Sequence, residues 1–459
     1  MQLYDLIRVI GENIWIYGGS FILVLSILVF VHEWGHYIIA RMCGVRVEQF
    51  SIGFGKEIWG FNDKSGTRWK VAMIPLGGYV QLFGDTDPAS AGHSDAIEEG
   101  GEVREMTEAE REVAFFTKPI WQRAAVVFAG PAINYIFAII LLAGLYVAHG
   151  KPVSPATAAA VIVDSSAHKY GFQPHDLIIS IEGKSIDEFR DVQREMLVAL
   201  DQERHFVVKR DGQLVDIYAK PKREPFEDRF GFKSTKGVLG LLSAERGVAV
   251  HKISAIDGVP YEDPEAILQA LTERMGTTFK IDFTQGNTVT TLIIHPVQSM
   301  NSEFGAKENI LEEVVYLSNL PARQFTPHTV MTATQSAIKE TYIMTVTSLE
   351  ALWQMVVGVR SATELGGIVR IGATAGDMAR QGLVPLILLT ALISINLGFI
   401  NLLPIPMLDG GHLMFYSIEA IIGRPIPEQI QEYAYRAGFV FLIGIMLFAN
   451  LNDVYQLLT

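Results

Sequence analysis

Residues 21–40 read FILVLSILVFVHEWGHYIIA, and this apolar stretch decides the fold class. With the residues from Ile14 onward, it is long enough to cross the hydrocarbon core of a bilayer, which takes about 20 residues of helix. No small-residue cleavage site follows it, so we interpret it as a retained span and not as a secretory signal. Two histidines and a glutamate lie inside it, and because such groups are costly to bury in lipid, they mark a functional site.

Three further stretches are comparably apolar, at residues 124–147, 383–403 and 437–451. The whole chain is 49% hydrophobic and only 19% charged, whereas about a quarter of the residues in a soluble protein are charged. The sequence therefore predicts an α-helical polytopic membrane protein with about four spans.

Composition also excludes several classes of protein. The net charge of −13 argues against nucleic acid as a partner, because nucleic-acid binding requires a basic face. The single cysteine, Cys43, excludes a disulfide framework and a cysteine-based zinc cluster. Any bound metal must therefore use histidine, aspartate or glutamate.

Basic residues near the span ends predict the orientation. Arg41 and Arg46 follow the first span, and Lys118 and Arg123 precede the second. Since cytoplasmic loops carry the excess of Lys and Arg, the loop between these spans is predicted to be cytoplasmic. The long segment at 150–381 and both termini are then external.

These patterns divide the chain into successive segments. They are the first span (1–45), a cytoplasmic loop (46–120), the second span (121–150), two external modules (151–225 and 226–300), a linker with a membrane-proximal amphipathic helix (301–380), the third span (381–410), and the fourth span with the C-terminus (411–459).

The cytoplasmic loop contains glycines and short alternating runs at residues 50–56 and 69–82. Such runs are typical of β-hairpins. Two interpretations stay open: a soluble hairpin, or a sheet that dips into the membrane where protein or a wet cavity satisfies its backbone.

The external segment repeats the order strand, helix, strand, strand, with the two helices predicted at 189–200 and 264–274. This repeat predicts tandem small α+β modules. The stretch 329–360 is apolar but interrupted by charges. It predicts either an interfacial amphipathic helix or a buried helix of the external domain.

The strongest chemical signal is His32-Glu33-Trp34-Gly35-His36. Residues four apart share a helix face, so both imidazoles can hold one metal ion. Glu33 lies beside them and can accept a proton from a water molecule whose pKa the metal lowers. A pair of histidines that merely hydrogen-bond between helices would explain neither Glu33 nor the spacing.

A catalytic zinc site uses about three protein ligands, so one is missing from this helix. The candidate is Asp409, in the sequence NLLPIPMLDGGH at 401–412, where two prolines end an apolar span and Asp-Gly predicts a turn. His412 is the rival, further along in what is predicted to be a new helix.

These motifs, with GPAIN at 130–134, resemble the site-2 protease family, most closely its bacterial RseP type of intramembrane protease, over essentially the whole chain. The resemblance implies Zn²⁺ held by His32, His36 and Asp409, with Glu33 as the catalytic base.

The resemblance further implies that Asn396 and Asn401 contact the substrate backbone and that Gly53 and Gly78 lie in a membrane-reentrant β-hairpin loop. It implies PDZ-like external modules on the periplasmic side of a bacterial inner membrane. The expected substrates are single-span proteins, such as anti-sigma factors first cut by an upstream site-1 protease, or leftover signal peptides. One departure is that the second module lacks a glycine-rich start before Val248.

Two motifs stay outside the predicted chemistry. In GPAIN, Gly130 lets helices approach closely and the proline frees a carbonyl that Asn134 could satisfy, so we interpret the motif as structural. Residues 366–372, GGIVRIG, resemble a family segment for which the sequence suggests no role.

Two other classes of protein remain as alternatives. A metal transporter would also place histidines in the membrane, but it would need neither Glu33 nor peptide-binding modules. An inactive PDZ scaffold would gain nothing from an intact HExxH motif. Metal-dependent cleavage of a single-span substrate separates the three.

Overall fold

The computed structural model describes residues 14–84, 96–99, 102–245, 247–285, 288–305, 310–321 and 324–458. The helices are α1 (Ile14–Met42), α2 (Glu108–Val113), α3 (Ile120–His149), α4 (Ser166–Lys169), α5 (Phe189–Val198), α6 (Pro264–Glu273), α7 (Val330–Val356), α8 (Ile368–Gln381), α9 (Leu383–Asn401), α10 (Asp409–Ile422) and α11 (Glu428–Leu458).

The strands begin with β1 (Val47–Asn62), β2 (Arg68–Leu82), β3 (Ala96–Glu99) and β4 (Glu102–Glu105) in the first loop. The segment between α3 and α7 contains β5 (Lys151–Val153), β6 (Ala160–Ile162), β7 (Leu177–Ile181), β8 (Lys184–Ser185), β9 (Arg204–Arg210), β10 (Gln213–Ala219), β11 (Lys222–Glu227), β12 (Lys233–Val238), β13 (Leu241–Leu242), β14 (Gly247–Ala249), β15 (Ile253–Ile256), β16 (Val259–Pro260), β17 (Phe279–Gln285), β18 (Thr288–Ile294), β19 (Val314–Tyr316) and β20 (Gln324–Thr326).

Four of these helices, α1, α3, α9 and α11, are long and apolar enough to cross a membrane. The predicted polytopic architecture is confirmed at this level. Helix α11 begins earlier than the apolar stretch that predicted it, because the polar residues 428–436 continue the same helix.

The spans pack closely at positions where glycine leaves no side chain between the helices. A Cβ at Gly35 of α1 would lie 2.4 Å from the carbonyl oxygen of Ala129 in α3, and one at Gly398 of α9 would lie 3.0 Å from that of Pro131. Small residues at such crossings let helix backbones approach each other in lipid. Helix α3 therefore lies between α1 and α9.

The first loop folds into the predicted β-structure. Strand β1 pairs with both ends of β2, so that Phe50 lies opposite Val80 and also opposite Trp69. Phe50 is fully buried and stacks on Trp69 with ring centroids 4.2 Å apart. The result is a compact sheet beside α1 and not one long extended hairpin.

Asp63 fastens the turn between β1 and β2 to helix α1. Its carboxylate accepts hydrogen bonds from the Trp69 indole at 3.0 Å and from the Tyr37 hydroxyl at 3.1 Å. Burial alone would raise the pKa of Asp63, but hydrogen bonds from Trp69, Ser65 and Thr67 outweigh it and lower the pKa to about 2.

Two α+β units follow α3, and the predicted helices of both are present as α5 and α6. The first unit has the sheet order β10-β9-β7-β8, and the second has β13-β6-β18-β17-β15-β16. Strand β6 precedes the first unit in the chain but pairs with β18 of the second. Its Val161 packs in the core of the first unit and its Ala160 in that of the second, so one strand serves both cores.

Helix α7 connects these units to the spans. Ala333 and Ala337 pack against a cluster of apolar residues from α3 and α9. Glu340, which is 3% exposed, pairs with Arg194 of α5. The helix therefore contacts spans on one face and the first unit on another.

The GGIVRIG segment, for which the sequence suggested no role, contacts the C-terminal part of α11. The buried carboxylate of Asp453 accepts hydrogen bonds from the backbone N–H groups of Gly367 at 2.9 Å and Arg370 at 3.0 Å. A Cβ at Gly367 would lie 2.8 Å from the Asn450 side chain. This segment thus opens α8 and anchors the last helix.

Candidate metal centre

Helix α1 brings the two predicted histidines to one side. The Nε2 atoms of His32 and His36 lie 3.3 Å apart, and their rings meet edge to face. Gly130 of α3 lies directly beneath them, because a Cβ there would be 2.2 Å from Nε2 of His36. The absence of a side chain at 130 therefore keeps the space in front of the imidazoles open.

Asp409 completes a triangle of potential ligands. Its Oδ2 lies 3.2 Å from Nε2 of His32, and its Oδ1 lies 3.6 Å from Nε2 of His36. One ligand atom from each of the three residues lies within 4.8 Å of the others. A tetrahedral zinc ion with bonds of about 2.0–2.1 Å separates its ligands by about 3.4 Å, so the donor set and its spacing match zinc.

The segment before Asp409 differs from the prediction in one respect. The chain leaves α9 at Asn401 and turns through residues 402–408, but Asp409 and Gly410 open α10 instead of forming the turn themselves. Gly410 and Gly411 pack directly against the backbone of that turn, where a Cβ would approach Leu403 and Ile405 carbonyl oxygens to 2.2 and 2.5 Å. His412 lies one helical turn further on α10.

Hydrogen bonds to the opposite ring nitrogens assign the histidine tautomers. Nδ1 of His36 lies 2.9 Å from the carbonyl oxygen of Val126, which only accepts, so Nδ1 carries the proton and Nε2 is available to a metal. Nδ1 of His32 lies 3.0 Å from Nδ2 of the Asn134 side-chain amide.

A metal at Nε2 of His32 requires the ring proton to be on Nδ1, and Nδ1 then needs a hydrogen-bond acceptor, which the Asn134 amide can provide. Its Oδ1 is buried and has no hydrogen-bond partner in the part of the chain that the structure describes. The two ends of an amide are nearly interchangeable in shape. With the amide turned over, Oδ1 accepts the Nδ1 proton of His32, which leaves Nε2 for the metal, as second-shell partners of zinc histidines do.

Glu33 lies beside the histidines and faces strand β2. A Cβ at Gly78 would lie 3.3 Å from Cγ of Glu33, and the backbone of Val80 hydrogen-bonds the Glu33 carboxylate. The outer edge of the strand that contains Gly78 and Val80 therefore runs along the site.

These groups line one cavity of about 500 Å³. Helices α1, α3, α10 and α11, strands β1 and β2, and the segment around Asn401 contribute its wall, with the residues His32, Glu33, His36, Phe54, Gly78, Tyr79, Val80, Leu82, Phe115, Val126, Val127, Asn401, Met407, Leu408, Asp409, His412 and Phe439.

The remaining predicted site residues divide into two groups. Asn401 and Gly78 lie in the cavity wall. Asn396 accepts a hydrogen bond from Ser348 of α7 at 3.2 Å, and Gly53 lies in β1 with φ 90°, where its missing Cβ leaves room for the carbonyl oxygen of Ile74. Neither Asn396 nor Gly53 is among the residues that line the cavity.

Comparison with known proteins identifies the family of the chain. The model of peptidase family M50 matches residues 20–445. The chain belongs to peptidase family M50. A Mesorhizobium japonicum protein named as a zinc metalloprotease is 35% identical over 435 residues, which cover 95% of this chain and 97% of the relative.

Two further relatives extend the comparison. Metalloprotease MmpA of Caulobacter vibrioides is 31% identical, over 95% of this chain and 94% of its own length. The regulator of sigma E protease of Haemophilus influenzae is 29% identical, over 96% and 98%. The expected site-2 protease family is confirmed, and this M50 peptidase is a zinc metalloprotease of the membrane.

The sequence interpretation of this M50 peptidase missed one residue at its site. Asn134 was interpreted as a helix-packing residue, but its amide contacts His32 and not the backbone of α3. The available signal in the sequence was a polar residue inside an apolar span, which by itself indicates function.

Proposed function

We propose that this M50 peptidase is an intramembrane endopeptidase in which His32, His36 and Asp409 hold zinc and Glu33 is the general base. The main support is that one ligand atom from each of these three residues lies within 4.8 Å of the others, beside Glu33. Glu33 and both histidines lie on a helix long enough to span a membrane. When bound, zinc lowers the pKa of water and polarises a peptide carbonyl. Glu33 then accepts the proton that the attacking water loses, and the histidines and Asp409 keep the site in place.

The proposed substrates are single-span membrane proteins. They include anti-sigma factors already shortened by an upstream site-1 protease, and leftover signal peptides. The name of the Haemophilus influenzae relative, regulator of sigma E protease, supports this class. A transmembrane helix satisfies its own backbone hydrogen bonds, so the segment to be cut must first unwind.

Strand β2 offers a place for the unwound segment. Gly78, Tyr79 and Val80 line the cavity from one side, and Asn401 does so from another. An extended substrate can pair with a strand edge by β-augmentation. We therefore propose that this edge and Asn401 contact the substrate backbone.

The sheet of the first loop is proposed to be membrane-reentrant. Ile58, Trp59 and Met73 are 68%, 61% and 61% exposed. Large exposed apolar patches in soluble proteins indicate contact with another apolar surface. Because the sheet lies beside membrane-spanning helices, lipid is the apolar surface that these side chains would contact.

The two external units are proposed to be PDZ-like modules that face the periplasm of a bacterial inner membrane. A groove of about 750 Å³ runs between α5 of the first unit and the β12–β13 segment. Orientation can be tested by replacing Cys43 and placing single cysteines at Ala109 or Ser254. Labelling of position 109 but not 254 by an impermeant thiol reagent in intact cells would reverse it.

The proposed chemistry is tested with Glu33→Gln, which removes the base and spares all three ligands. The purified variant in proteoliposomes should bind zinc like the parent and fail to cleave a single-span substrate. Glu432→Gln, which changes an exposed carboxylate at the start of α11, is the matched control and should remain active. A normal cleavage rate for Glu33→Gln would exclude Glu33 as the base.

A further inference from the structure

Asp409 is held at the metal centre mainly by its backbone. Apart from the imidazole of His32, its buried Oδ2 has no polar partner among the described residues. Ligating carboxylates are usually oriented by second-shell hydrogen bonds. Here the position of the carboxylate depends instead on the turn at 402–408 and the first turn of α10, so whatever fixes that turn also fixes the ligand.

Helix α11 makes one contact with the turn at 402–408 and one with the first turn of α10. A Cβ at Gly438 would lie 2.3 Å from the carbonyl oxygen of Pro406, so the backbones of α11 and the turn are in direct contact. One helical turn away, the Tyr435 hydroxyl lies 3.0 Å from Nδ1 of His412. Both side chains of that pair are buried, with the two residues 6% and 7% exposed. Tyr435 and Gly438 are three residues apart and share one face of the helix.

Phe439 lines the cavity from the same part of α11, and most other side chains in the central part of the helix are exposed. Val440, Phe441 and Leu447 are 71%, 53% and 53% exposed. The C-terminal end of the helix is held separately, through the hydrogen bonds of Asp453. The contacts of α11 near the metal centre are thus concentrated on the Tyr435–Gly438 face. Helix α11 supplies none of the three potential ligands.

We propose that Tyr435 and Gly438 are positioning residues for the zinc ligand Asp409. Gly438 holds the turn before Asp409 through Pro406, and Tyr435 holds the first turn of α10 through His412. A shift of this turn changes the distances of the carboxylate oxygens from the two imidazoles, and with them the affinity for zinc. This inference rests on the proposed ligand set His32, His36 and Asp409.

The chain provides matched controls for both positions. Tyr433 is 73% exposed on the same helix, so Tyr433→Phe removes a hydroxyl that does not face the metal centre. A Cβ at Gly444 would meet nothing within 4 Å, so Gly444→Ala makes the same change as Gly438→Ala without the contact.

The test measures zinc affinity of the purified full-length chain by competition with a chelator, together with the visible absorption of the Co²⁺-substituted protein. Tyr435→Phe and Gly438→Ala should each weaken zinc binding by about 10-fold or more and change the Co²⁺ spectrum, as second-shell changes do. Tyr433→Phe and Gly444→Ala should remain within about twofold of the parent. His412→Gln, which keeps a hydrogen-bonding group, should bind zinc more tightly than His412→Leu.

Asp409→Ala separates this inference from the proposed ligand set. If Asp409→Ala binds zinc like the parent while His412→Ala does not, the ligand set itself is wrong. If Asp409→Ala loses zinc but Tyr435→Phe leaves the affinity and the spectrum unchanged, the positioning role is overturned. Tyr435→Phe removes one oxygen atom only, so it decides the question even if Gly438→Ala fails to fold.

Discussion

Nδ1 of His32 lies 3.0 Å from the side-chain amide of Asn134, so the second span orients a histidine of the first. Asn134→Leu should therefore weaken zinc binding by about 10–100-fold. Asn134→Asp should retain it, because a carboxylate accepts the Nδ1 proton as well as the amide oxygen does. Chelator competition on both purified variants checks this. Equal affinities for the Leu and Asp variants would show that the contact does not orient the ring.

Gly130→Ala should abolish zinc binding, since the new Cβ would lie 2.2 Å from Nε2 of His36. Gly144→Ala in the same span is the control, because a Cβ there would meet nothing within 4 Å. Metal content after dialysis and the thermal unfolding midpoint of each variant would be measured. Full zinc occupancy in Gly130→Ala would mean that α3 can shift away from the imidazoles.

The turn at Asp63 gives a pH dependence of stability. Its folded-state pKa, about 2, lies below the ordinary value of about 3.9, so the charged carboxylate stabilises the folded protein. That contribution is complete above about pH 4 and is lost as the pH falls through about 2. Asp63→Asn should lower the unfolding midpoint equally at pH 7 and pH 5, and the difference from the parent should narrow between pH 4 and pH 2. Asp164→Asn, which changes an exposed side chain, is the control. A difference that narrows already between pH 7 and pH 5 would assign the effect to another group.

The two α+β units between α3 and α7 are expected to select substrates by size. Because Val153 of β5 lies opposite Gln324 of β20, a short flexible linker can replace residues 154–323 without separating the ends. The deletion variant should cleave short, pre-trimmed substrates at the parental rate and should also cleave untrimmed ones. The same deletion combined with Glu33→Gln controls for other proteases. If untrimmed substrate stays intact while the short one is cut, size selection lies elsewhere in the chain.

The sequence predicted the parts of this molecule that follow from local pattern. Apolar length predicted the spans, and the spacing of His32 and His36 predicted two groups on one helix face. Asp409 was predicted from the lack of a third ligand, although its place at the start of α10 was not. Contacts between distant segments were beyond such reasoning. The sequence around Tyr435 does not predict its contact with His412, and the GGIVRIG motif does not predict its contact with Asp453. Both contacts depend on how α11 packs against the rest of the protein.

Strand β6 limits how this protein could have been assembled from parts. Val161 fills one core and Ala160 the other, and β6 pairs with β18 across the boundary between the units. A gene fusion that brought in only one unit would leave either an unfilled core or an unpaired edge in the other. Although their repeated order of helix and strands gives the impression of independent duplicates, the two units of this protein are therefore one folding unit joined through β6.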